Sequence, residues 1–300
     1  MVRCDSTTRR RFRYFPVISL ILLVGLSRAQ EPPAHIKVAA VQFSPRGTVE
    51  KNTEAIVENL AECSRRGVRV AVFQECAVTG YDKKRIAEAT AEQIDQAEQR
   101  IAAACRQSNI YAVVGTPMDI EGTRYNVAIV LNPEGKRIER YAKIQLVSGD
   151  DWAKPGSQMS VFRIDGIPCS IIICHDERYP ELVRLPVLAG ARLIFYLSSE
   201  SSLTKEEKLV PYRAQISARA DENDVYIVQA NSPAMLSHGQ SRIVRPDGNI
   251  LCEASMFRDE VITADLDMSQ ATGATALKSL EYPALREWWE LGIRKVLIRD

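Results

Sequence analysis

The sequence predicts an α/β protein in which two β-sheets stack face to face and helices cover the outer faces. Apolar strands alternate with amphipathic helices along nearly the whole chain. Several strands, Ile171-Ile172-Ile173 among them, are apolar on successive residues and so should be buried on both faces. After residue 30 no linker, repeat or charge block breaks the alternation, which argues for one compact domain. A doubly wound single sheet is the alternative that composition leaves open.

The elements follow in order. Ile36 to Phe43 is a nearly unbroken apolar strand, followed by a Ser-Pro-Arg-Gly turn and a helix from Val49 to about Arg66 with Ile56, Val57, Leu60 and Ala61 on one face. Val68 to Gln74 is a second strand, and a long helix spans Lys84 to Gln107. Strands are expected at Tyr111 to Gly115 and Asn126 to Asn132, the latter closed by Pro133-Glu134-Gly135. Arg137 to Ile144, Met159 to Ile164 and Cys169 to Ile173 continue the β pattern. A helix at Glu181 to Ala189 precedes the strand Leu193 to Leu197, and a helix at Lys205 to Asp221 precedes the strand Val225 to Ala230. Gln240 to Arg245, the turn Pro246-Asp247-Gly248-Asn249 and Val261 to Leu266 return to β.

Charge separates the two ends of the chain. Of 39 basic and 38 acidic residues, six basic and one acidic fall in the first 30, leaving 33 against 37 in a mildly acidic body. Arg9-Arg10-Arg11-Phe12-Arg13 precedes an uncharged run, Phe15 to Leu26, and then Ser27-Arg28-Ala29. The run is short of the roughly 20 residues a free-standing span needs, so residues 1–30 read as an export signal of twin-arginine type, with a membrane anchor as the alternative. Export would deliver the protein to the periplasm or the exterior. The body has no basic stripe, which disfavours a nucleic-acid partner. Of seven cysteines, six lie in the body at irregular spacings with no C-x-x-C pair, and three histidines show no paired spacing. Neither a zinc site nor a redox dithiol is expected.

Reactive groups in α/β sheets collect past the carboxyl ends of strands. Three positions stand out there: Glu75 after Val70-Ala71-Val72-Phe73-Gln74, Lys143 after the strand from Arg137, and Cys174 after Ser170-Ile171-Ile172-Ile173. A carboxylate, an ammonium and a thiol together would supply a base, an electrostatic stabiliser and a nucleophile. Behind Cys174 stands His175-Asp176-Glu177-Arg178-Tyr179-Pro180-Glu181, a turn and helix start whose N–H groups can receive an oxyanion.

These words, in this order, resemble the nitrilase-like carbon–nitrogen hydrolases. The pieces are V-A-A-V-Q-F at the start, F-Q-E at Glu75 with Thr79-Gly80-Tyr81, Tyr141-Ala142-Lys143, Pro155-Gly156, C-H-D-x-R-Y-P-E at Cys174, Gly190-Ala191, Arg219 to Asn223, Asn231, and Gly239-x-Ser241 before Pro246-Asp247-Gly248. The resemblance implies a four-layer αββα sandwich over residues 31–270, usually paired as a homodimer through the helices near Pro180 to Ala189 and Tyr212 to Asp221. Residues 271–300 are expected to be a tail, and the adjacent Trp288 and Trp289, on different faces of an amphipathic stretch, make it a candidate dimer contact. It implies a Glu75–Lys143–Cys174 triad working through a thioester without metal or cofactor. The backbone N–H of His175 would assist the oxyanion.

Many members carry a second glutamate between the lysine and the cysteine. Lys143 to Pro155 contains none, and counting from the lysine and the proline lands on Asp151 as the substitute. Otherwise Asp150-Asp151 is a solvated turn. Trp-Glu, typical after the cysteine of nitrile hydrolysers, is absent, so an amide or N-carbamoyl substrate is expected. Arg178 matches the arginine that holds a substrate carboxylate in carbamoylase branches; an ion pair with Glu181 or Asp176 is its structural alternative. Tyr81 and Ser199, the latter in the polar loop after Leu197, complete the expected substrate contacts. N-acyl transfer, a catalytically weak binding protein and a thiol sensor are the competing functions.

Overall fold

The computed structural model describes residues 32–200, 209–234 and 237–299. The export signal, its anchor alternative and the start of the helix expected from Lys205 lie outside the described residues. From Pro32 onward the chain forms one compact unit.

The first sheet opens on β1 (His35–Gln42) and β2 (Val70–Phe73), with α1 (Val49–Arg65) crossing between them. Thr48 caps α1 by accepting a hydrogen bond from Lys51 N. The helix expected across Lys84 to Gln107 is two helices, α2 (Lys83–Glu88) and α3 (Ala91–Ser108). Thr90 and Gln93 form a reciprocal capping box, so a new helix start interrupts a continuous amphipathic pattern. The strands β3 (Tyr111–Ile120) and β4 (Thr123–Leu131) form a longer hairpin than the pattern suggested, through Glu121-Gly122, both at positive φ. β5 (Arg137–Ala142) is the edge, and β12 (Glu260–Asp267) pairs antiparallel with β1, giving the order β12-β1-β2-β3-β4-β5.

The second sheet is built from β6 (Met159–Ile164), β7 (Ile167–Ile173), β8 (Leu193–Ser198), β9 (Tyr226–Asn231), β10 (Arg242–Val244) and β11 (Ile250–Glu253). Helices α4 (Glu181–Leu188) and α5 (Leu209–Asp221) carry the parallel crossovers from β7 to β8 and β8 to β9. The residues expected to be a tail are part of the fold. Helices α6 (Ala274–Lys278) and α7 (Pro283–Ile293) are followed by β13 (Val296–Ile298), which pairs parallel with β6 and closes the order β11-β10-β9-β8-β7-β6-β13.

Alternation along each strand divides the core into three layers. Val38, Val72, Val113 and Val130 of the first sheet face Phe162, Ile171, Phe195 and Val228 of the second. Ala39, Ala71 and Phe73 turn outward to Ile56 and Leu60 of α1 and Ile101 of α3. Ile172, Ile194 and Tyr196 turn outward to Val183 and Val187 of α4, with Trp289 of α7 packed against them. Its neighbour Trp288 is 53% exposed. The fold is the expected αββα sandwich.

Candidate active site

Four strand ends deliver the polar groups. β2 ends at Phe73 and the chain turns at Glu75, with Cys76 at φ 51. Gly115 of β3 lies against this turn so closely that a Cβ would stand 2.6 Å from Cys76 N and 2.8 Å from Glu75 Cα; only glycine fits. β5 ends at Ala142 and places Lys143 beneath the turn, where its Nζ donates to Glu75 Oε1 at 2.8 Å. Asn126 of β4 donates to the same oxygen at 2.7 Å, and the backbone N–H of Ser199, past β8, donates to Glu75 Oε2 at 3.1 Å. Glu75 and Lys143 have fully buried side chains.

The aspartate beside Lys143 is Asp150, which corrects the expectation that Asp151 would stand there. Asp150 ends a 3-10 turn (Ser148–Asp150) that closes on itself, with Val147 N donating to Asp150 Oδ2. Its buried carboxylate lies 2.8 Å from Lys143 Nζ and accepts the Tyr81 hydroxyl at 2.7 Å. Asp151 faces solvent and pairs with Lys83 at 2.9 Å. The count from Lys143 and Pro155 falls one residue too late, because the turn decides which of the two neighbouring aspartates points inward. Asp150→Asn should therefore cost about 1.5–3 kcal/mol in urea unfolding, the range for a hydrogen bond to a charged group, whereas Asp151→Asn should stay within about 0.5 kcal/mol. The reverse order would show that Asp150 is not the buried partner.

Cys174 follows β7 at φ 46, a left-handed conformation uncommon for a residue with a side chain. Asp176 holds the turn, accepting from Ile173 N at 3.0 Å, Gln145 N at 2.8 Å and the Tyr141 hydroxyl at 2.8 Å. Cys174 opens the 3-10 turn Cys174–Arg178, and the first amides of such a turn, that of His175 included, have no acceptor within it. Burial above all, and then Glu75, push the Cys174 thiol well above its ordinary value, with Lys143 opposing. Burial also works against the Lys143 ammonium, but Glu75, Cys174 and Asp150 outweigh it and hold its pKa well above the usual lysine range. The resting thiol therefore carries its proton beside a permanent cation and a carboxylate.

Cys174 opens on a cavity of about 240 Å³ lined by Tyr81, Val147, Gly149, His175, Glu177, Arg178, Ser199, Glu200 and Tyr212, among others. Every sequence-predicted contact except Asp151 thus lies at the cavity or at the buried cluster beside it. Arg178 is at the exposed mouth, its guanidinium 5.6 Å from the Tyr212 ring centroid. Asp176, one of its sequence alternatives, is taken up by the turn. His238 sits 3.7 Å from Glu200 Oε2, and burial, with Arg242 second, lowers its pKa to about 4. Among the described residues no three His, Cys, Asp or Glu side chains form a metal site.

Glu177, Glu200, Asn126 and Tyr212 were not singled out from sequence. Glu177 is pushed up to about 8, first by burial and then by Glu200. Below 4.5, its ordinary value, folded and unfolded chains both hold the proton; between 4.5 and about 8 only the folded chain does. Its contribution to stability therefore falls as pH rises through that window, by up to about 1.4 kcal/mol per unit, and levels off above it. Glu177→Gln should flatten that slope in urea unfolding at pH 5, 6.5 and 8. An unchanged slope would place the titration elsewhere.

A sandwich of two mixed sheets thus gathers a thiol, a carboxylate and a buried ammonium at its strand ends, the kind of site a hydrolase uses. The chain belongs to the carbon–nitrogen hydrolase family, whose model matches residues 37–275. It is similar to 2-oxoglutaramate amidase of Bacillus subtilis (28% identical, 67% of this chain and 79% of that protein) and to omega-amidase of Homo sapiens (24%, 78% and 89%). Among solved structures it resembles a variant amidase from Nesterenkonia sp. AN1 bearing the acetamide moiety of fluoroacetamide on its active-site cysteine. That match has a TM-score of 0.75 at 25% identity and covers 86% of this chain and 98% of that one.

Proposed function

We propose that the protein is an amidase that cleaves small non-peptide amides or N-carbamoyl compounds through a thioester on Cys174. The observation that carries this reading is the buried Glu75–Lys143–Asp150 cluster beside a thiol that opens on a small cavity. Glu75 takes the thiol proton as Sγ attacks the carbonyl carbon, which avoids a standing buried thiolate. The oxygen, now negative, is met by the Lys143 ammonium and the backbone N–H of His175. Collapse breaks the C–N bond, and the leaving amine departs with the proton held by Glu75. A water then gives its proton to Glu75 and attacks the thioester; the acid is released and the thiol recovers its proton. Asp150 keeps Lys143 charged and oriented, in the place of the second glutamate.

The N-terminal sequence adds export to the proposal, and the exposed Leu285, Trp288 and Leu291 on α7 suit a second copy of the chain. Sedimentation showing only monomer would remove the dimer. The amidase reading is tested by incubating the protein with short amides, N-carbamoyl amino acids and nitriles while following ammonia and the mass of the Cys174 peptide. Glu75→Gln should accumulate the acyl adduct by slowing its hydrolysis. Ammonia release without any dependence on Cys174 would overturn the mechanism.

A further inference from the structure

The cavity lining carries two carboxylates that the proposed reaction does not use. Glu177, three residues past Cys174, and Glu200, two residues past β8, are each 1% exposed and both line the cavity. In each, Oε2 has no hydrogen-bond partner. Buried carboxylate oxygens are rarely left without a donor, and these two stand where a ligand would. We propose that the cavity takes amides whose non-reacting end carries a positive charge, an ammonium or guanidinium, received by Glu177 and Glu200. This rests on the amidase reading for the position of the scissile amide.

The hydrogen bonds around the pair support a cation. Tyr196 OH donates to Glu200 Oε1 at 3.1 Å and Gln229 Nε2 donates to the same oxygen at 2.7 Å, so both neutral donors are spent on one oxygen of the pair. Oε2 of Glu177 and Oε2 of Glu200 are left without a donor, and burial first of all raises the pKa of both carboxyls. An entering cation meets both free oxygens.

The neighbouring positive groups do not fill the same role. Arg242 spends Nε on Glu253 at 3.0 Å; its charge partly offsets the burial of Glu200 but it makes no hydrogen bond to either free oxygen, and His238 is held neutral. Arg178 lies at the exposed mouth over the Tyr212 ring; its charge partly offsets that of Glu177, but its side chain makes no hydrogen bond to either free oxygen. A substrate with a carboxylate at its far end would have to bring that charge against Glu177 and Glu200.

The probes are butyramide, 4-aminobutyramide and succinamate, short amides whose far ends are neutral, positive and negative. With the full chain, kcat/KM for 4-aminobutyramide should exceed that for butyramide by at least about tenfold, the scale of one hydrogen bond between charged groups, and succinamate should be the poorest. Glu177→Gln and Glu200→Gln should each shrink the ammonium-to-neutral ratio at least about fivefold, with thermal unfolding confirming that each variant folds. Equal rates for the neutral and ammonium amides, a preference for succinamate, or a ratio unchanged in both variants overturns the proposal. Titration of Cys174→Ala with the same probes separates the two readings. Tighter binding of 4-aminobutyramide, with no amide turned over by the unsubstituted chain, would uphold the charge preference and sink the amidase. Turnover of all three amides with no charge preference would do the opposite.

Discussion

Cys174→Ala should lower ammonia release from any accepted amide by at least about 10⁴-fold and abolish the acyl adduct, while moving Tm by no more than a few degrees. The two halves of that expectation have separate causes. Among the described residues of the cavity the thiol is the one set beside both Glu75 and Lys143, so its loss leaves binding and electrostatics without a nucleophile. Alanine keeps the Cβ and the same backbone demand at φ 46, and the turn is held by Asp176 rather than by the thiol. A variant that keeps substantial activity would show that Cys174 is not the attacking group. A variant that unfolds would show that sulfur packing holds the turn.

Lys143→Met should do the reverse to stability. It removes the cation between Glu75 and Asp150 and leaves two fully buried carboxylates facing a thioether. Breaking a buried pair by deleting one partner costs about 3–5 kcal/mol, measurable in urea unfolding. Part of the loss should return on acidification, because protonating either carboxyl removes the unpaired charge. Activity should fall by a further factor of about 10²–10³ from the missing oxyanion contact. Unchanged stability at neutral pH would mean that the ammonium is not what neutralises the cluster.

Much of this architecture is legible in the residue order. Runs such as Ile171-Ile172-Ile173 can be satisfied only between two layers, and the structure has them between the sheets and the α4 face. Glu75, Lys143 and Cys174 each follow a strand, and strand ends are where a sheet exposes side chains. The sequence is silent where neighbours compete. Asp150 and Asp151 are chemically identical and adjacent, and only the closure of a 3-10 turn on Val147 N selects between them. The helix break at Thr90 depends on a reciprocal hydrogen bond that an amphipathic pattern does not reveal. β13, three residues long, has no periodicity to detect and exists because β6 offers it an edge. Glu177 and Glu200 lie on different loops, and nothing local says that they meet at one cavity.

The groups that must meet at Cys174 do not come from one sheet. Glu75 and Lys143 follow β2 and β5 of the first, Cys174 and Ser199 follow β7 and β8 of the second, and Val72, Val113, Ile171 and Phe195 fill the space between. The spacing of the reacting atoms is therefore set by the thickness of a hydrocarbon layer, much as a gauge block sets the gap between two jaws. Trimming that layer by a methylene or two would reach the chemistry before it threatened the fold, since a shift of an ångström in reacting geometry can cost a hundredfold in rate. In this molecule the interior packing between the sheets is a determinant of turnover, several residues away from any group that touches substrate.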